Sequence, residues 1–184
     1  MLKRKGKSKP RTVICMLKNL FKHKKMKKLV LKNYFFFGMP EQNIISLGEW
    51  LVNLKLHGKE SRSRSRFIKL VMDRVREIDE ERQRLLEEYG SKDKNDQLIY
   101  FDKEKKETSN RNEAISVKMK DQTAFIKEFN TYLEEDFVID CSPETQDTIY
   151  GVKDIILNTN DEFSGLMASR YNEWCDAFEN VKKE

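Results

Sequence analysis

No aspartate or glutamate occurs in the first forty residues, although thirteen lysines or arginines do. The remaining 144 residues hold the other 23 of the 36 bases against all 31 acids, a net charge near −8. The basic isoelectric point of about 9.0 therefore belongs to a terminal arm joined to an acidic body. Charge of this kind speaks to partners and solubility rather than to fold. Cysteine is also scarce: Cys15, Cys141 and Cys175 are odd in number and far apart, which excludes a disulfide framework and fits reduced thiols in a cytoplasm. The only histidines are His23 and His57, and with three scattered cysteines they give no zinc-ligand spacing, so no metal is expected. Glycine occurs seven times and never as GxGxxG or GxxxxGK, so the sequence has no Gly-rich phosphate loop of these kinds and no cofactor is expected. No apolar run reaches the roughly 20 residues of a membrane span. The apolar stretch from Val13 to Phe21 is broken by Lys18 and Asn19 and has no small-residue cleavage site, unlike a secretory signal.

What is present is enough for one domain with a core. The chain has 184 residues with 10% aromatics, too many for a wholly disordered polymer. Residues 1–25 read as a basic arm, disordered over 1–11, where there is no hydrophobic period, and able to form a short amphipathic helix over 12–25, with Val13, Leu17, Leu20 and Phe21 near one face. Residues 26–184 read as a single domain. Lys27 to Phe37 has strand composition and is closed by Gly38 and Pro40. The period then becomes helical through Ile44, Leu47, Leu51 and Leu54, with His57-Gly58 as the stop. From about Arg64 to Tyr89, Phe67, Val71, Val75, Ile78, Leu85 and Tyr89 follow near-heptad spacing, with Arg82 in one seam position. Ile68, Met72 and Leu86 widen that stripe, and Gly90 ends it. A helix of some 26 residues is about 39 Å long, more than one small core covers alone, so it requires a long partner in its own chain or another.

Leu98 to Phe101 and Ile115 to Met119 suit a hairpin with a long mobile charged tip. Asp121 suits the N-cap of a helix bearing Phe125, Phe129, Tyr132 and Leu133, and residues 137–141 suit a strand. Ser142-Pro143-Glu144 suits a helix start for the segment carrying Ile149, Val152, Ile155 and Ile156. A last helix, about 161–181, places Phe163, Met167, Tyr171, Trp174, Phe178 and Val181 on one stripe, the natural cover for 64–89. The expected fold is α+β and mainly helical. Long antiparallel helices form a bundle, and a small antiparallel sheet is made by strands near 27–37, 98–119 and 137–141.

Three groups of residues are candidates for function. The arm, with Lys3, Arg4, Lys5 and Arg11, could hold phosphates non-specifically and with strong salt dependence, although a solvated tail is the simpler reading. Arg62, Arg64 and Arg66 of the Ser61–Arg66 tract oppose the dipole of a helix starting there, and an anion would relieve that conflict. The simpler reading is a turn with its side chains in water and the helix beginning at Arg66. Trp50 and Trp174 could anchor a partner interface, since aromatics do so often, but residues at this spacing are more commonly core. Asp79-Glu80-Glu81, Glu134-Glu135-Asp136 and Asp140 lie along helix surfaces or ends and do not converge as a metal-dependent nuclease requires. Neither histidine stands in a nucleophile motif. No catalytic residue is expected, and the chain reads as a non-enzyme.

The order Lys27-Lys28-Leu29-Val30-Leu31-Lys32, Glu87-Glu88-Tyr89, Lys120-Asp121-Gln122-Thr123-Ala124-Phe125 and Val138-Ile139-Asp140 resembles a family of small uncharacterised tailed-phage and prophage proteins. The resemblance spans about residues 26–141, and the helical tail from 143 to 181 departs from it. It implies a phage or prophage origin and no established activity. The leading expectation is an accessory protein in a bacterial host cytoplasm that works without catalysis by binding another protein or itself. Non-specific nucleic-acid binding through the arm and the Arg-Ser tract is the alternative, and a host-directed inhibitor a weaker one. Because family members open at the first strand, Met26 is an alternative start. Starting there removes ten bases and no acids, leaving 26 against 31, a net −5.

Overall fold

The computed structural model describes residues 27–111 and 114–181. The basic arm, its expected helix over 12–25 and Cys15 lie outside the described residues. The chain is mainly helical with two small antiparallel sheets. Strand β1 (Lys28–Lys32) leads through a 3-10 turn (Asn33–Phe36) and a second one (Pro40–Gln42) into helix α1 (Leu47–Asn53). The 32-residue helix α2 (Gly58–Tyr89) follows. Strands β2 (Tyr100–Phe101), β3 (Glu107–Thr108) and β4 (Ser116–Val117) precede helix α3 (Gln122–Leu133) and strand β5 (Asp136–Asp140). Helices α4 (Gln146–Leu157) and α5 (Gly165–Glu179) complete the order.

Helix α2 is the spine, about 48 Å long at 1.5 Å per residue. Its buried line is Phe67, Val71, Ile78 and Leu85. The seam expected through Val75 turns out of the core, because two successive steps of four from Phe67 carry it about 80° around a helix of 3.6 residues per turn, whereas Ile78 and Leu85 stay close to the line of Val71. Each fully buried side chain of this size contributes about 1.5–3 kcal/mol. Two short helices cover the spine. Helix α4, with Ile149, Val152, Ile155 and Ile156 buried, is its principal neighbour, and α3 takes the C-terminal half through Phe129 and Leu133. The last helix is not the main cover expected from its stripe: α5 packs chiefly on α4 and β1, and reaches the spine where Phe178 meets Phe67, ring centroids 5.8 Å apart.

The α2–α4 approach is close because of one residue. A Cβ placed on Gly151 would lie 2.2 Å from Ser63 Oγ and 2.6 Å from Ser63 Cβ. The glycine that interrupts the stripe of α4 is therefore the seat of the buried Ser63. This contact also shows why the Arg-Ser tract is helix rather than turn. Helix α2 begins at Gly58, eight residues before Arg66, and His57-Gly58 opens it instead of closing α1.

The expected single sheet is two. β1 pairs antiparallel with β5 in the register Lys28↔Asp140 to Lys32↔Asp136, with Leu29 and Leu31 fully buried on one face. The hairpin region forms its own sheet in the order β3-β2-β4. The charged stretch after Phe101 supplies a strand because Asp102 Oδ1 accepts from the backbone N–H of Glu104 at 2.8 Å and of Lys106 at 2.9 Å, closing a turn. Gly90, as expected, caps α2, with its N–H on Leu86 O at 2.8 Å. Asp121 caps α3 as expected, accepting from Ala124 N at 2.9 Å. The start read at Ser142 is instead a turn, and α4 begins three residues after Pro143.

Gly151→Ala tests the close approach. The substitution gains about 1 kcal/mol of helix propensity but forces overpacking worth about 1–3 kcal/mol. Chemical denaturation is expected to show net destabilisation that Ser63→Gly relieves. A stabilised Gly151→Ala protein would mean that the two helices stand further apart.

Candidate interaction surface

Helix α2 carries a second apolar line beside its buried one. Ile68, Met72 and Val75 are spaced by four and three residues, one face of a helix, and Met72 and Val75 are 57% and 40% exposed. Helix α1 lies alongside and adds Val52, 57% exposed. Together with Phe36 and Val71 below, they line a shallow groove of about 300 Å³ with Glu49 at its rim. Helix α1 is capped at its start by Ser46, whose hydroxyl accepts from Glu49 N at 3.1 Å, and is held to the spine at its end by Arg64. The Arg64 guanidinium donates to the carbonyl oxygens of Leu54 at 2.8 Å, Val52 at 3.3 Å and Leu51 at 3.4 Å. It thereby satisfies acceptors that the end of α1 leaves without intrahelical partners.

That contact decides the fate of the Arg-Ser tract. Arg64 faces inward on α1, whereas Arg62 and Arg66, four residues apart, share the exposed side. The three guanidinium groups do not converge, so the tract is not a single anion site. Lys3, Arg4, Lys5 and Arg11 lie outside the described residues.

Trp50 and Trp174 are not surface anchors, because both are buried. Their rings stand 5.5 Å apart, Trp50 Nε1 donates to Asp161 Oδ2 at 2.7 Å, and Phe163 and Tyr171 stack at 4.2 Å beside them. The tryptophans join α1 to α5 inside the molecule; the Trp50 N–H is paired with Asp161, whereas the buried Trp174 Nε1 has no hydrogen-bond partner among the described residues.

One polar cluster has no counterpart in the sequence reading. Asn33 is fully buried; its amide donates to Tyr132 O at 2.8 Å and accepts from Arg74 Nε at 2.8 Å. Arg74 also pairs with Glu77 at 2.7 Å, approaches Glu135 at 3.6 Å, and lies 5.3 Å from the centre of the Tyr132 ring. Arg74 stands three residues after Val71 and four before Ile78, on the buried side of the stripe, which was the available signal. On the other side of the same turn, Arg170 donates to Tyr34 O at 2.6 Å and covers the Tyr34 ring at 4.3 Å. Burial lowers the pKa of Arg170, and burial followed by the charge of Glu173 pushes the Tyr34 phenol up to about 12. Every strong donor here is spent on the protein itself, so the cluster fixes the turn that supplies Phe36 to the groove.

The acidic clusters stay apart. Among the described residues no three His, Cys, Asp or Glu side chains gather as ligands for one cation. A polar cleft of about 570 Å³ lies between the α1–α2 and α4–α5 connections, with Glu60, Asp154 and Asp161 at its edges. Among the described residues no helix is long and apolar enough to cross a membrane. Compared with family models, curated proteins and solved structures, the chain finds no match in any of the three.

Asn33→Ala would leave the Arg74 guanidinium and the Tyr132 carbonyl without their shared partner, at a cost of about 2–3 kcal/mol. Urea unfolding is expected to show that loss. A change within experimental error would remove the cluster from its place in the fold.

Proposed function

We propose that this chain is a non-enzymatic binding protein whose contact surface is the apolar line of exposed Met72 and Val75 with Val52, continued by the half-buried Ile68. The observation that carries the reading is that line itself. Single exposed apolar residues are common on any protein, but a run at helical spacing over a groove is the pattern that amphipathic contacts use. Arg64 ties the end of α1 to the spine beside the groove, and Ser46 caps the start of α1. Its chemistry is van der Waals and apolar, which suits a protein surface and offers nothing to bind a phosphate or polarise a carbonyl. The setting, a phage or prophage accessory protein in a bacterial host, rests on the sequence resemblance alone. A nucleic-acid reading now rests on the arm, with Arg62 and Arg66 as the exposed arginines of the tract.

A photo-crosslinking residue in place of Met72, in the full chain expressed in its host, tests this surface. A discrete adduct is expected that is absent when the probe replaces Lys127 on α3 and that disappears on adding Val75→Glu. Equal labelling from both positions, or none from Met72, would sink the reading.

A further inference from the structure

The apolar line is bordered on its solvent side by a second row of side chains. Lys69, Asp73, Arg76 and Glu80 are all exposed, and their spacings of four, three and four place them on one flank of α2. Their signs alternate: plus, minus, plus, minus. The row has an uncommon property. Read backwards, its spacing is unchanged and every sign is reversed, so Lys69 maps onto Glu80 and Asp73 onto Arg76. An antiparallel copy of the same helix presents the same row with each charge opposite its complement. Reversal about nearly the same centre, between residues 73 and 75, also sets Met72 against Val75. The two centres differ by one residue, so one operation brings Met72, Val75 and the charge row close to register together, with Ile68 at the end of the contact near Asp79.

The charges are available for this. Arg76 bonds Asp73 at 2.8 Å and approaches Glu80 at 3.8 Å within its own helix. Those side chains are more than 60% exposed, so such pairs hold weakly in water and can be shared with a second helix. The length of the spine gives the contact room, since α3 and α4 cover a different side of it.

We infer that the occupant of the groove is a second copy of this chain, packed with its α2 antiparallel across Ile68, Met72 and Val75. The inference rests on the reading of that line as the contact surface and adds the identity and direction of the partner. Charge rows beside an apolar line select orientation as well as strength, because the wrong orientation opposes like charges. A parallel arrangement would align Lys69 with Lys69 and Glu80 with Glu80.

Sedimentation equilibrium of the full chain, from low micromolar to a few hundred micromolar, tests this with four variants. The unmodified chain is expected to form dimers, and Met72→Glu to weaken them about tenfold or more while leaving the far-ultraviolet spectrum and melting curve unchanged. Lys69→Glu and Glu80→Lys are each expected to weaken the dimer by opposing like charges. The double variant Lys69→Glu/Glu80→Lys restores it, because each new charge again meets its complement. A chain that stays monomeric throughout overturns the second copy. A dimer indifferent to Met72→Glu, or a double variant no better than the single ones, overturns it too. A monomer that still gives a site-specific Met72 adduct with another protein would leave the contact surface standing and remove only the identity of its partner.

Discussion

A helix of 32 residues is longer than any other element described here, and the rest of the molecule is arranged to cover it. No single neighbour does so. Helices α4 and α3, 12 residues each, share its cover. The guanidinium of Arg74 ties the spine to the end of α3. From the spine it reaches the amide of Asn33 in the turn after β1, the ring of Tyr132 near the end of α3 and the carboxylate of Glu135 before β5. A charged group this deeply placed is tolerated because its donors are matched, and removing one partner costs more than the pair contributes. The turn it holds contains Phe36, which is also part of the groove wall. The internal constraint and the outward-facing surface are thus mechanically the same region.

Ser63 and Gly151 set the second fixed point. Their approach draws α4 onto the first turns of the spine and so extends the helix back through the Arg-Ser tract. Arg64 then completes α1, and α1 supplies Val52 to the outer face. Arg64, one of three arginines weighed from sequence as a phosphate contact, instead ties α1 to the spine beside the groove.

Much of the architecture was legible because it depends on local pattern. The stripe of Phe67, Val71, Ile78 and Leu85, the cap at Asp121, the stop at Gly90 and the mainly helical α+β class all follow from periodicity and capping chemistry. What was not legible depends on long-range contacts. The true start of α2 rests on a glycine 88 residues after Ser63. The burial of Trp50 needs Asp161, 111 residues away, so the aromatic stripe of α5 was read as cover for the spine when its use is to wrap Trp50. The third strand at Glu107 is set by an aspartate side chain inside a run of charges, where hydrophobic periodicity is silent. The contact surface was half visible: Ile68 and Met72 were seen to widen the stripe, but only the packing of α3 and α4 showed which part stays outside.

The central claim is that α2 has two working faces, one covered by its own chain and the other by a partner. Met72 reports on the second face, being the one methionine classed as exposed among the described residues. Hydroxyl-radical footprinting of the unmodified chain over a concentration series reads it directly. The account expects rapid oxidation of Met72 in dilute protein and protection as the concentration rises, with the half-buried Met167 of α5 unchanged. Protection of Met72 at every concentration would place it in the chain's own core, and unvarying reactivity would mean that no second copy covers this face. Either result contradicts the account.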